Sequence, residues 1–332
     1  MNNLATIQRI KEVKQHINAD ALDIVKVLGW EVVTKRNEFK PGDLCIYICI
    51  DTIVPNTPTF EFLKNKSFRI KPIRLRGQYS NGICFPLSIL PNDINSLSEG
   101  DDVTQILNIK KYEKPIPAEL SGVMEGHIPS FLIITDEDNL RSIPDAIPEM
   151  YGRPYYITKK LDGSSGTYFV HNNTFGVCSR RINLKESETN GFWKIAKKYD
   201  IENILKLEFP DKNIAIQGEV YGEGIQKNPL KIKGIDFSIF NLFDIDGRSY
   251  LDYTALVNFT NKYNIPMVPI IDEGITFGYN LEDLIELSKK QTYLDNDPAE
   301  GIVIRPKESF YSNSLKKSWS GKVINELYID PT

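Results

Sequence analysis

One segment of the chain, Lys160-Leu161-Asp162-Gly163-Ser164-Ser165, brings together an amine, a carboxylate, a glycine and two hydroxyls. A lysine at the end of a predicted strand suits a nucleophile that faces a nucleotide phosphate, and the glycine lets backbone N–H groups approach that phosphate. An amine attacks phosphorus only when it is neutral, so this chemistry predicts a lowered pKa for Lys160, helped by a nearby divalent cation. A solvated strand lysine before a polar turn explains the same residues, and this segment alone leaves both interpretations open.

Later segments carry further groups that would serve such chemistry. Glu219 lies near the end of a predicted strand and among glycines, where a carboxylate can bind a ribose hydroxyl or a hydrated metal ion. Phe237–Asp244 is an aromatic strand, Glu300 opens an apolar strand, and Lys322 lies near the end of the sequence. Each has a plain structural alternative, since acidic glycine-rich turns and aromatic core strands are common.

The first 110 residues contain short apolar runs separated by turn signals, which is typical of a small β-barrel. The predicted strands are Leu4–Ile10, Ile24–Val27, Trp30–Val33, Leu44–Ile50, Ile70–Leu75 and Gly82–Phe85. We therefore predict a barrel domain over 1–110, followed by a charged, proline-rich linker over 111–130.

A second domain is predicted over 131–332, where strands and helices occur without a regular βαβ repeat, which favours an α+β fold. The predicted strands are Tyr155–Leu161, Thr167–His171, Ile214–Tyr221, Phe237–Asp244 and Gly301–Arg305. The predicted helices are Ser187–Tyr199, Tyr253–Tyr263 and Asn280–Lys290.

Composition limits the functions that the chain can have. Its 332 residues carry a net charge of -4, so contact with nucleic acid must come from local basic patches. Apolar runs are too short to cross a bilayer, and the N-terminal residues lack the pattern of a signal peptide, so we expect a cytoplasmic protein without membrane contact. The four cysteines form no CxxC pair, and we expect them to be buried thiols in a reducing compartment.

Taken in order along the chain, these segments resemble the motifs of the covalent nucleotidyltransferase superfamily, which includes ligases and capping enzymes. The matches are motif I at Lys160-Leu161-Asp162-Gly163, motif Ia at Ser179-Arg180-Arg181, motif III at Glu219, motif IIIa at Phe240, motif IV at Glu300-Gly301-Ile302-Val303 and motif V at Lys322. Chance does not readily explain this many matches in order and with comparable spacing.

Further segments resemble ATP-dependent RNA ligases with an N-terminal OB domain. They are Ile134–Glu137 and Arg141 ahead of motif I, and Leu4–Ile7, Asn18–Asp20, Gly29-Trp30, Lys40–Asp43 and Leu75–Gln78. The resemblance implies an OB fold for 1–110 and a nucleotidyltransferase domain of antiparallel sheets flanked by helices for 131–332. Because the sequence ends soon after Lys322, it leaves no room for the C-terminal OB domain of DNA ligases and capping enzymes, which favours the RNA ligases.

Two positions depart from the pattern of these relatives. Their motif V often carries a second lysine two positions before the last one, where this chain has Ser320, and Lys316 or Lys317 are the candidates to replace it. The residue before the nucleophile is often acidic in relatives, whereas here it is Lys159. Any contact made by that acidic side chain is therefore not carried over to this chain.

The resemblance implies a site for ATP and for Mg²⁺ or Mn²⁺. Lys160, the nucleophile, and Lys322, at the α-phosphate, are the implied catalytic residues. Asp162, Glu219 and Glu300 would contact the nucleotide and hold the metal ion through water, because hard oxygen ligands suit these ions. The other implied nucleotide contacts are Gly163 in the turn, Arg141 at the triphosphate tail, Arg180 at AMP or the RNA backbone, and Phe240 and Val303 on the two sides of adenine.

RNA is the implied partner, and we expect the chain to act as a monomer. The segment Phe68–Arg76 carries Arg69, Lys71, Arg74 and Arg76 between apolar residues, a basic stripe that would suit the phosphates of RNA. Solvated charges on an exposed strand face explain the same pattern equally well.

The leading interpretation is an ATP-dependent RNA ligase that joins 3′-hydroxyl and 5′-phosphate ends through a lysyl-AMP and an RNA-adenylate, with nick repair as the expected role. Enzymatic alternatives are a DNA ligase or a GTP-using capping guanylyltransferase. An alternative of another class is a catalytically silent RNA-binding protein, which the departure at Ser320 favours and the presence of Lys160 and Glu219 disfavours.

Overall fold

The computed structural model describes residues 3–91, 97–112 and 122–328. The chain divides into two compact units, 1–115 and 116–332, and each has its own apolar core. Part of the linker predicted over 111–130 falls on 113–121, outside the described residues. Within the described ranges, no helix combines the length and apolar character needed to cross a membrane.

Short strands dominate the first unit, in agreement with the sequence pattern. They are β1 (Ala5–Gln15), β2 (Leu22–Val27), β3 (Trp30–Lys35), β4 (Leu44–Ile48), β5 (Thr52–Ile53), β6 (Arg69–Ile70), β7 (Ile73–Leu75), β8 (Gln78–Ser80), β9 (Ile83–Phe85) and β10 (Lys110–Lys111). Two short 3-10 helices, Pro58–Lys66 and Leu87–Ile89, lie between strands.

An antiparallel sheet in the order β3-β2-β1-β4-β9 forms the body of this unit. Its two edges approach each other, because the Asn81 N–H, just before β9, donates to the Glu31 carbonyl of β3 at 3.0 Å. A second link joins β3 to the last residue of β8, where the Val33 N–H donates to the Ser80 hydroxyl at 3.0 Å. β-Branched and aromatic side chains fill the enclosed core. The predicted small β-barrel is therefore confirmed.

The cysteines largely follow the prediction of buried thiols. Cys45 and Cys84 are buried in the barrel, Cys178 is buried in the second unit, and Cys49 is partly buried. All four are free thiols, so none of them ties the fold together covalently.

The second unit contains longer strands and four α-helices among its described residues. Its strands are β11 (Met124–His127), β12 (Asp138–Asn139), β13 (Tyr155–Lys160), β14 (Ser164–His171), β15 (Thr174–Ser179), β16 (Ile182–Leu184), β17 (Ile214–Gly222), β18 (Ile235–Asp244), β19 (Ser249–Tyr250), β20 (Ile270–Gly274), β21 (Gly301–Pro306), β22 (Tyr311–Ser312), β23 (Lys317–Ser318) and β24 (Gly321–Ile324). Its helices are α1 (Gly191–Lys198), α2 (Ile201–Glu208), α3 (Tyr253–Tyr263) and α4 (Leu281–Lys289).

Two sheets organise the second unit. A seven-stranded antiparallel sheet runs β11-β16-β15-β14-β17-β18-β19, and α1, α2 and α3 pack on it through Ile195, Leu205 and Leu256. A five-stranded sheet runs β12-β24-β21-β13-β20, and α4 covers one of its faces through Leu284. β12 and β24 are parallel, whereas the other pairs in this sheet are antiparallel. The predicted α+β class is confirmed.

The predicted helices all occur, and two of them are shorter than predicted. α3 spans the predicted residues, and α4 begins after Asn280, whose side chain caps it by accepting from the Asp283 N–H. The first predicted helix, Ser187–Tyr199, begins later, because the Asn190 side chain accepts from two N–H groups of the first turn and acts as its N-cap. The sequence analysis did not predict α2.

The segment Lys160–Ser164 carries the chain from one sheet to the other. β13 ends at Lys160 in the five-stranded sheet, and β14 begins at Ser164 in the seven-stranded sheet. The predicted strand Thr167–His171 therefore begins earlier in the structure, and Ser164 and Ser165 belong to β14. This crossing places Lys160 at the junction of the two sheets, next to residues that both sheets supply.

Candidate active site

The Lys160 amine lies within hydrogen-bond distance of a carboxylate. Lys160 Nζ is 2.6 Å from Glu300 Oε2, and each of the two side chains is 21% exposed. Lys160 ends β13 opposite Gly301, the first residue of β21, so the ladder between these strands brings Glu300 next to the lysine. The two residues predicted as nucleophile and motif IV acid are thus in direct contact.

One face of the five-stranded sheet collects several of the predicted residues. Residues that are paired across antiparallel strands point to the same face, and so do residues two apart in one strand. Val303 pairs with Thr158 on β13 and with Lys322 on β24, and Thr158 lies two residues before Lys160. Lys160, Val303 and Lys322 therefore share a face. The opposite face packs into the apolar core through Ile157, Ile302, Ile304 and Val323.

The pKa of Lys160 is raised, which corrects the prediction of a lowered value. Burial lowers the pKa of this amine, but the negative charges of Glu300, Glu219 and Glu137 outweigh burial and stabilise the ammonium form. Lys160 is therefore protonated in this arrangement of side chains. The lowered pKa was inferred from what a nucleophile requires, whereas in the folded chain the charges of three carboxylates act on the amine.

Glu219 lies in the seven-stranded sheet and is hydrogen-bonded to the turn that follows Lys160. It lies on β17, paired with Ser165 of β14, and its Oε1 atom accepts a hydrogen bond from the Gly163 N–H at 3.1 Å. Burial raises the pKa of Glu219 to about 8, with further contributions from the charges of Glu300 and Asp162 that Lys160 partly offsets. The acids of the site therefore repel one another, and additional positive charge would stabilise them.

Close packing at Gly163 supports a specific prediction. A Cβ atom at this position would lie 2.3 Å from the Val220 carbonyl oxygen and 3.0 Å from Cγ of Glu219. We expect Gly163→Ala to displace the Asp162 turn, to cost about 1–3 kcal/mol of unfolding free energy, and to impair activity. Denaturant unfolding measures the first effect, and labelling of the chain with radioactive ATP measures the second.

A matched control is Gly126→Ala. A Cβ atom at Gly126 would meet no heavy atom within 4 Å, so this variant should unfold and react like the wild type. If Gly163→Ala were as stable and as active as Gly126→Ala, the tight packing inferred for the turn would be wrong.

Asp162 has a partner that sequence reasoning missed. The Tyr328 hydroxyl donates a hydrogen bond to Asp162 Oδ2, and burial together with this carboxylate raises the pKa of Tyr328. Nothing in the sequence around Tyr328 marks it as a site residue, because its position depends on how the chain after β24 folds back.

Phe240 occupies an irregular position on β18. The register of β17 and β18 shifts between the pairs Gln217–Asn241 and Gly218–Ile239, which leaves Phe240 as the extra residue of a β-bulge. Bulges redirect a side chain relative to its neighbours and are frequent beside active sites. The Phe240 ring is largely buried, and the Arg305 guanidinium lies 5.4 Å from its centroid.

Three basic side chains contact Asp136. Its carboxylate pairs with Arg180 at 3.0 Å and with Lys322 at 3.3 Å. Lys317, one of the two candidates to replace a motif V lysine at Ser320, donates to the Asp136 carbonyl at 2.8 Å and also pairs with Asp138. Lys317 and Lys322 therefore meet at the same residue.

Glu137 follows in the same segment and pairs with Arg305. Burial would raise the pKa of Glu137, but the charges of Arg305, Lys322 and Lys160 outweigh burial and hold it below its usual value. The segment was noted in the sequence for its resemblance to relatives, without a role for either acid. Its acids balance the positive charges on this face of the sheet.

Arg141 lies in a buried ion pair. Its side chain is 4% exposed and its guanidinium is 3.3 Å from Glu326, which also pairs with Lys289 at 2.6 Å. A contact with a triphosphate tail would require Arg141 to exchange Glu326 for the nucleotide. The sequence contained no signal for Glu326, because its partners lie far away along the chain.

The four residues of the predicted basic stripe do not lie on one strand. Arg69 belongs to β6 and Arg74 to β7, and the two strands belong to different sheets. Lys71 lies between them, next to Pro72, and Arg76 lies in the turn after β7 with a φ of 47°. Proline interrupts a strand because it lacks an N–H group, which explains why the predicted strand Ile70–Leu75 is divided.

The side chains of the stripe also differ in their surroundings. Arg69 pairs with Asp51 at 2.7 Å, stacks 3.5 Å above the Tyr112 ring and is 15% exposed. Lys71, Arg74 and Arg76 are exposed. Arg69 therefore has a structural role in the barrel, and the other three are the ones accessible to a ligand.

An amine at the junction of two sheets, surrounded by carboxylates and on the same sheet face as Lys322, is the arrangement of a nucleotidyltransferase-type ligase. A family model of OB-fold domains matches residues 4–87, and the RNA ligase family model matches residues 153–324. The chain belongs to the RNA ligase family.

Solved structures of Naegleria gruberi RNA ligase are similar over nearly the whole chain. A lysine-to-methionine variant with AMP and Mn has a TM-score of 0.84 and 32% identity, and the match covers 98% of both chains. A lysine-to-alanine variant with ATP and Mn has a TM-score of 0.83, 32% identity and the same coverage. The enzyme with PPi has a TM-score of 0.83 and 33% identity, with 99% of this chain and 98% of that chain covered. A search of curated protein sequences found no match.

Proposed function

We propose that this RNA ligase uses ATP to seal 3′-hydroxyl and 5′-phosphate RNA ends, and that it acts at nicks. The observation that carries the proposal is the 2.6 Å contact between Lys160 and Glu300, on the sheet face that also presents Val303 and Lys322. The similar Naegleria gruberi structures contain ATP or AMP with Mn, and one contains PPi. These ligands support ATP as the nucleotide and pyrophosphate as a product of the first step.

Lys160 acts in the proposed first two steps. Its neutral Nζ atom attacks the α-phosphorus of ATP, a phosphorus–nitrogen bond forms, and the bond to pyrophosphate breaks. An oxygen of an RNA 5′-phosphate then attacks the phosphorus of the bound AMP, which frees Lys160 and leaves an RNA-adenylate. In the third step the 3′-hydroxyl attacks the activated 5′-phosphate, and AMP leaves. These displacements depend on in-line geometry and charge neutralisation more than on a general base.

The acids of the site fit a divalent cation held through water. Asp162, Glu219 and Glu300 offer hard carboxylate oxygens, which Mg²⁺ and Mn²⁺ prefer, and the charges of Glu300 and Asp162 add to burial in raising the pKa of Glu219. Among the residues that the structure describes, no group of three or more acidic, histidine or cysteine side chains has the spacing for direct binding of an ion. A bound cation would neutralise phosphate charge and oppose protonation of the nearby amine.

The remaining predicted contacts are proposed for the nucleotide. Phe240, redirected by its bulge, and Val303, on the face of Lys160, would hold adenine between them. Lys322 would contact the α-phosphate, and Arg180 would contact AMP or the RNA backbone after leaving Asp136. The proposed contact of Arg141 with the triphosphate tail depends on exchange of its partner Glu326.

Labelling with a radioactive nucleotide tests the proposal. We expect incubation with α-labelled ATP and Mg²⁺ or Mn²⁺ to leave label on the chain after denaturing electrophoresis, because the phosphorus–nitrogen bond is covalent. GTP should give no label, which separates this enzyme from a capping guanylyltransferase. Label from GTP alone would favour that alternative, and no label from either nucleotide would favour a silent RNA-binding protein. Joining assays on nicked RNA and nicked DNA then separate an RNA ligase from a DNA ligase.

The barrel is proposed to hold the RNA. Deletion of residues 1–110 should impair the joining of RNA ends more strongly than self-adenylylation, because the residues proposed for AMP transfer all lie in the second unit. Parallel measurements of chain labelling and nick sealing with the same preparation check this prediction. Equal loss of both activities would contradict a substrate-holding role for the barrel.

A smaller change tests the exposed cations of the barrel. Combined Lys71→Ala and Arg74→Ala substitutions should weaken RNA binding and reduce its dependence on salt, since each lost phosphate contact removes counterion release. Lys11→Ala, which removes another exposed cation of the same unit, is the control.

A further inference from the structure

The Tyr293 hydroxyl lies between the backbones of the two residues that form the central ion pair. It donates a hydrogen bond to the Lys160 carbonyl at 2.6 Å and accepts one from the Glu300 N–H at 3.2 Å. Lys160 and Gly301 are the last paired residues of β13 and β21, and Glu300 lies one residue beyond that pair. The hydroxyl therefore connects the two chain segments just past the point where the strand ladder ends.

The segment that carries Tyr293 is itself anchored to β13. Lys159 Nζ donates to the Thr292 carbonyl at 2.7 Å, so two consecutive lysines of β13 contact two consecutive residues of this segment. The segment also contains an internal backbone hydrogen bond, from the Tyr293 N–H to the Asp297 carbonyl at 2.7 Å. Lys159, which departs from the acidic residue of relatives, thus has a definite structural contact in this chain.

The Tyr293 ring has its own packing, which is independent of the hydroxyl. It packs against the apolar cluster formed by Leu161, Phe240 and Val268. Phenylalanine at this position would keep the ring contacts and lose only the two hydrogen bonds. Removal of the hydroxyl therefore tests the bridge between Lys160 and Glu300 without opening a cavity.

We propose that Tyr293 is a positioning residue for AMP transfer, whose hydroxyl fixes the backbone of Lys160 relative to Glu300, and that Lys159 holds Tyr293 in place. This inference rests on the proposed function of Lys160 as the nucleophile. A nucleophile and its neighbouring acid must keep their relative geometry throughout the reaction, and a displacement of about 1 Å can cost two orders of magnitude in rate. The bridge restricts such a displacement just beyond the last pair of the β13–β21 ladder, and the Glu300 carbonyl also accepts from the Asn325 N–H at 2.9 Å.

Tyr293→Phe is the first test. We expect its kcat for self-adenylylation to fall roughly tenfold or more, while the KM for ATP stays within about twofold of the wild type, because the hydroxyl orients the reacting groups and does not bind nucleotide. The assay uses the full chain with labelled ATP and Mn²⁺, well below the unfolding temperature. A merely structural hydroxyl would lower thermal stability and leave kcat unchanged.

Tyr155→Phe is the matched control. Tyr155 lies at the other end of β13, and its hydroxyl donates to Asp272 Oδ2 at 2.7 Å. This variant loses a hydrogen bond of similar length from the same strand, far along the strand from Lys160, so its kcat should equal that of the wild type. A Tyr293→Phe enzyme as fast as the wild type, or no slower than Tyr155→Phe, would overturn the inference.

A double-mutant cycle tests the role of Lys159. Lys159→Met keeps the aliphatic stem and removes the donor to Thr292, and we expect it to lower kcat in the same direction as Tyr293→Phe. If Lys159 acts through Tyr293, the double variant should be no slower than Tyr293→Phe alone. Multiplicative losses would show that Lys159 acts by a separate route and would contradict that part of the proposal.

The outcomes separate this inference from the proposed function. Wild-type chain that takes no label from ATP would refute the function of Lys160 and the inference with it. Wild-type chain that takes label, alongside an equally fast Tyr293→Phe enzyme, would refute only the positioning role.

Discussion

Lys160→Ala should take no label from ATP, and Lys160→Arg should behave in the same way. Alanine has no nucleophile, and the arginine guanidinium cannot lose its proton under ordinary conditions, although it keeps the positive charge beside Glu300. The pair separates chemistry from electrostatics, because Lys160→Ala leaves three carboxylates without their shared cation and Lys160→Arg does not. Denaturing electrophoresis with α-labelled ATP measures the loss, and circular dichroism verifies that both variants are folded.

Lys307→Ala is the control for Lys160. Lys307 pairs with Glu273 at 2.6 Å, the same distance that separates Lys160 from Glu300, and its side chain is 26% exposed. Its removal should leave labelling intact. Label that stays on a folded Lys160→Ala or Lys160→Arg chain would show that another residue carries AMP and would end the assignment of Lys160.

Glu300→Gln should slow self-adenylylation on the order of 100-fold. Glutamine keeps the shape of the side chain but removes the negative charge that anchors Lys160 and that is proposed to contact the metal ion. The charge of Glu300 has two opposing effects on the reactivity of Lys160. It holds the amine in position, and it also stabilises the unreactive ammonium form. Because Glu300 raises the Lys160 pKa, its removal lowers that pKa and by itself would increase the neutral, reactive fraction of the amine.

The direction of the change therefore identifies the dominant role of Glu300. A slower variant indicates that orientation and cation binding outweigh the gain in neutral amine. A variant faster than the wild type would show that deprotonation limits the reaction, and would contradict the proposed metal-binding role. Glu273→Gln, which removes the acid of the Lys307 pair, should have no effect on labelling and serves as the control.

Local patterns in the sequence were sufficient to predict many of the strands. Alternating and β-branched residues predicted the strands that became β2, β3, β4 and β13, because side-chain alternation in a strand depends only on nearest neighbours. The predicted strand Ile70–Leu75 was wrong as a single element, and the reason was also local, since Pro72 interrupts it.

The candidate site was predicted in part. The resemblance to ligases named Lys160, Glu219 and Glu300 as neighbours, and the structure brings their charges together. It could not indicate that Arg141 is held in a buried pair by Glu326, nor that Tyr328 donates to Asp162. These contacts join residues more than 160 positions apart, and no local pattern encodes them.

By itself, the sequence determined which chemical groups the protein has and the order in which they occur: an amine at the end of a strand, a glycine in the turn after it, and acids and a lysine in or next to later strands. Only the tertiary structure decided which of these groups face one another. The Lys160 pKa shows the difference, since chemistry alone suggested a lowered value and the folded chain raises it. Coulomb energies depend on distance through space and on burial, and Glu300, 140 positions away along the chain, lies 2.6 Å from the amine.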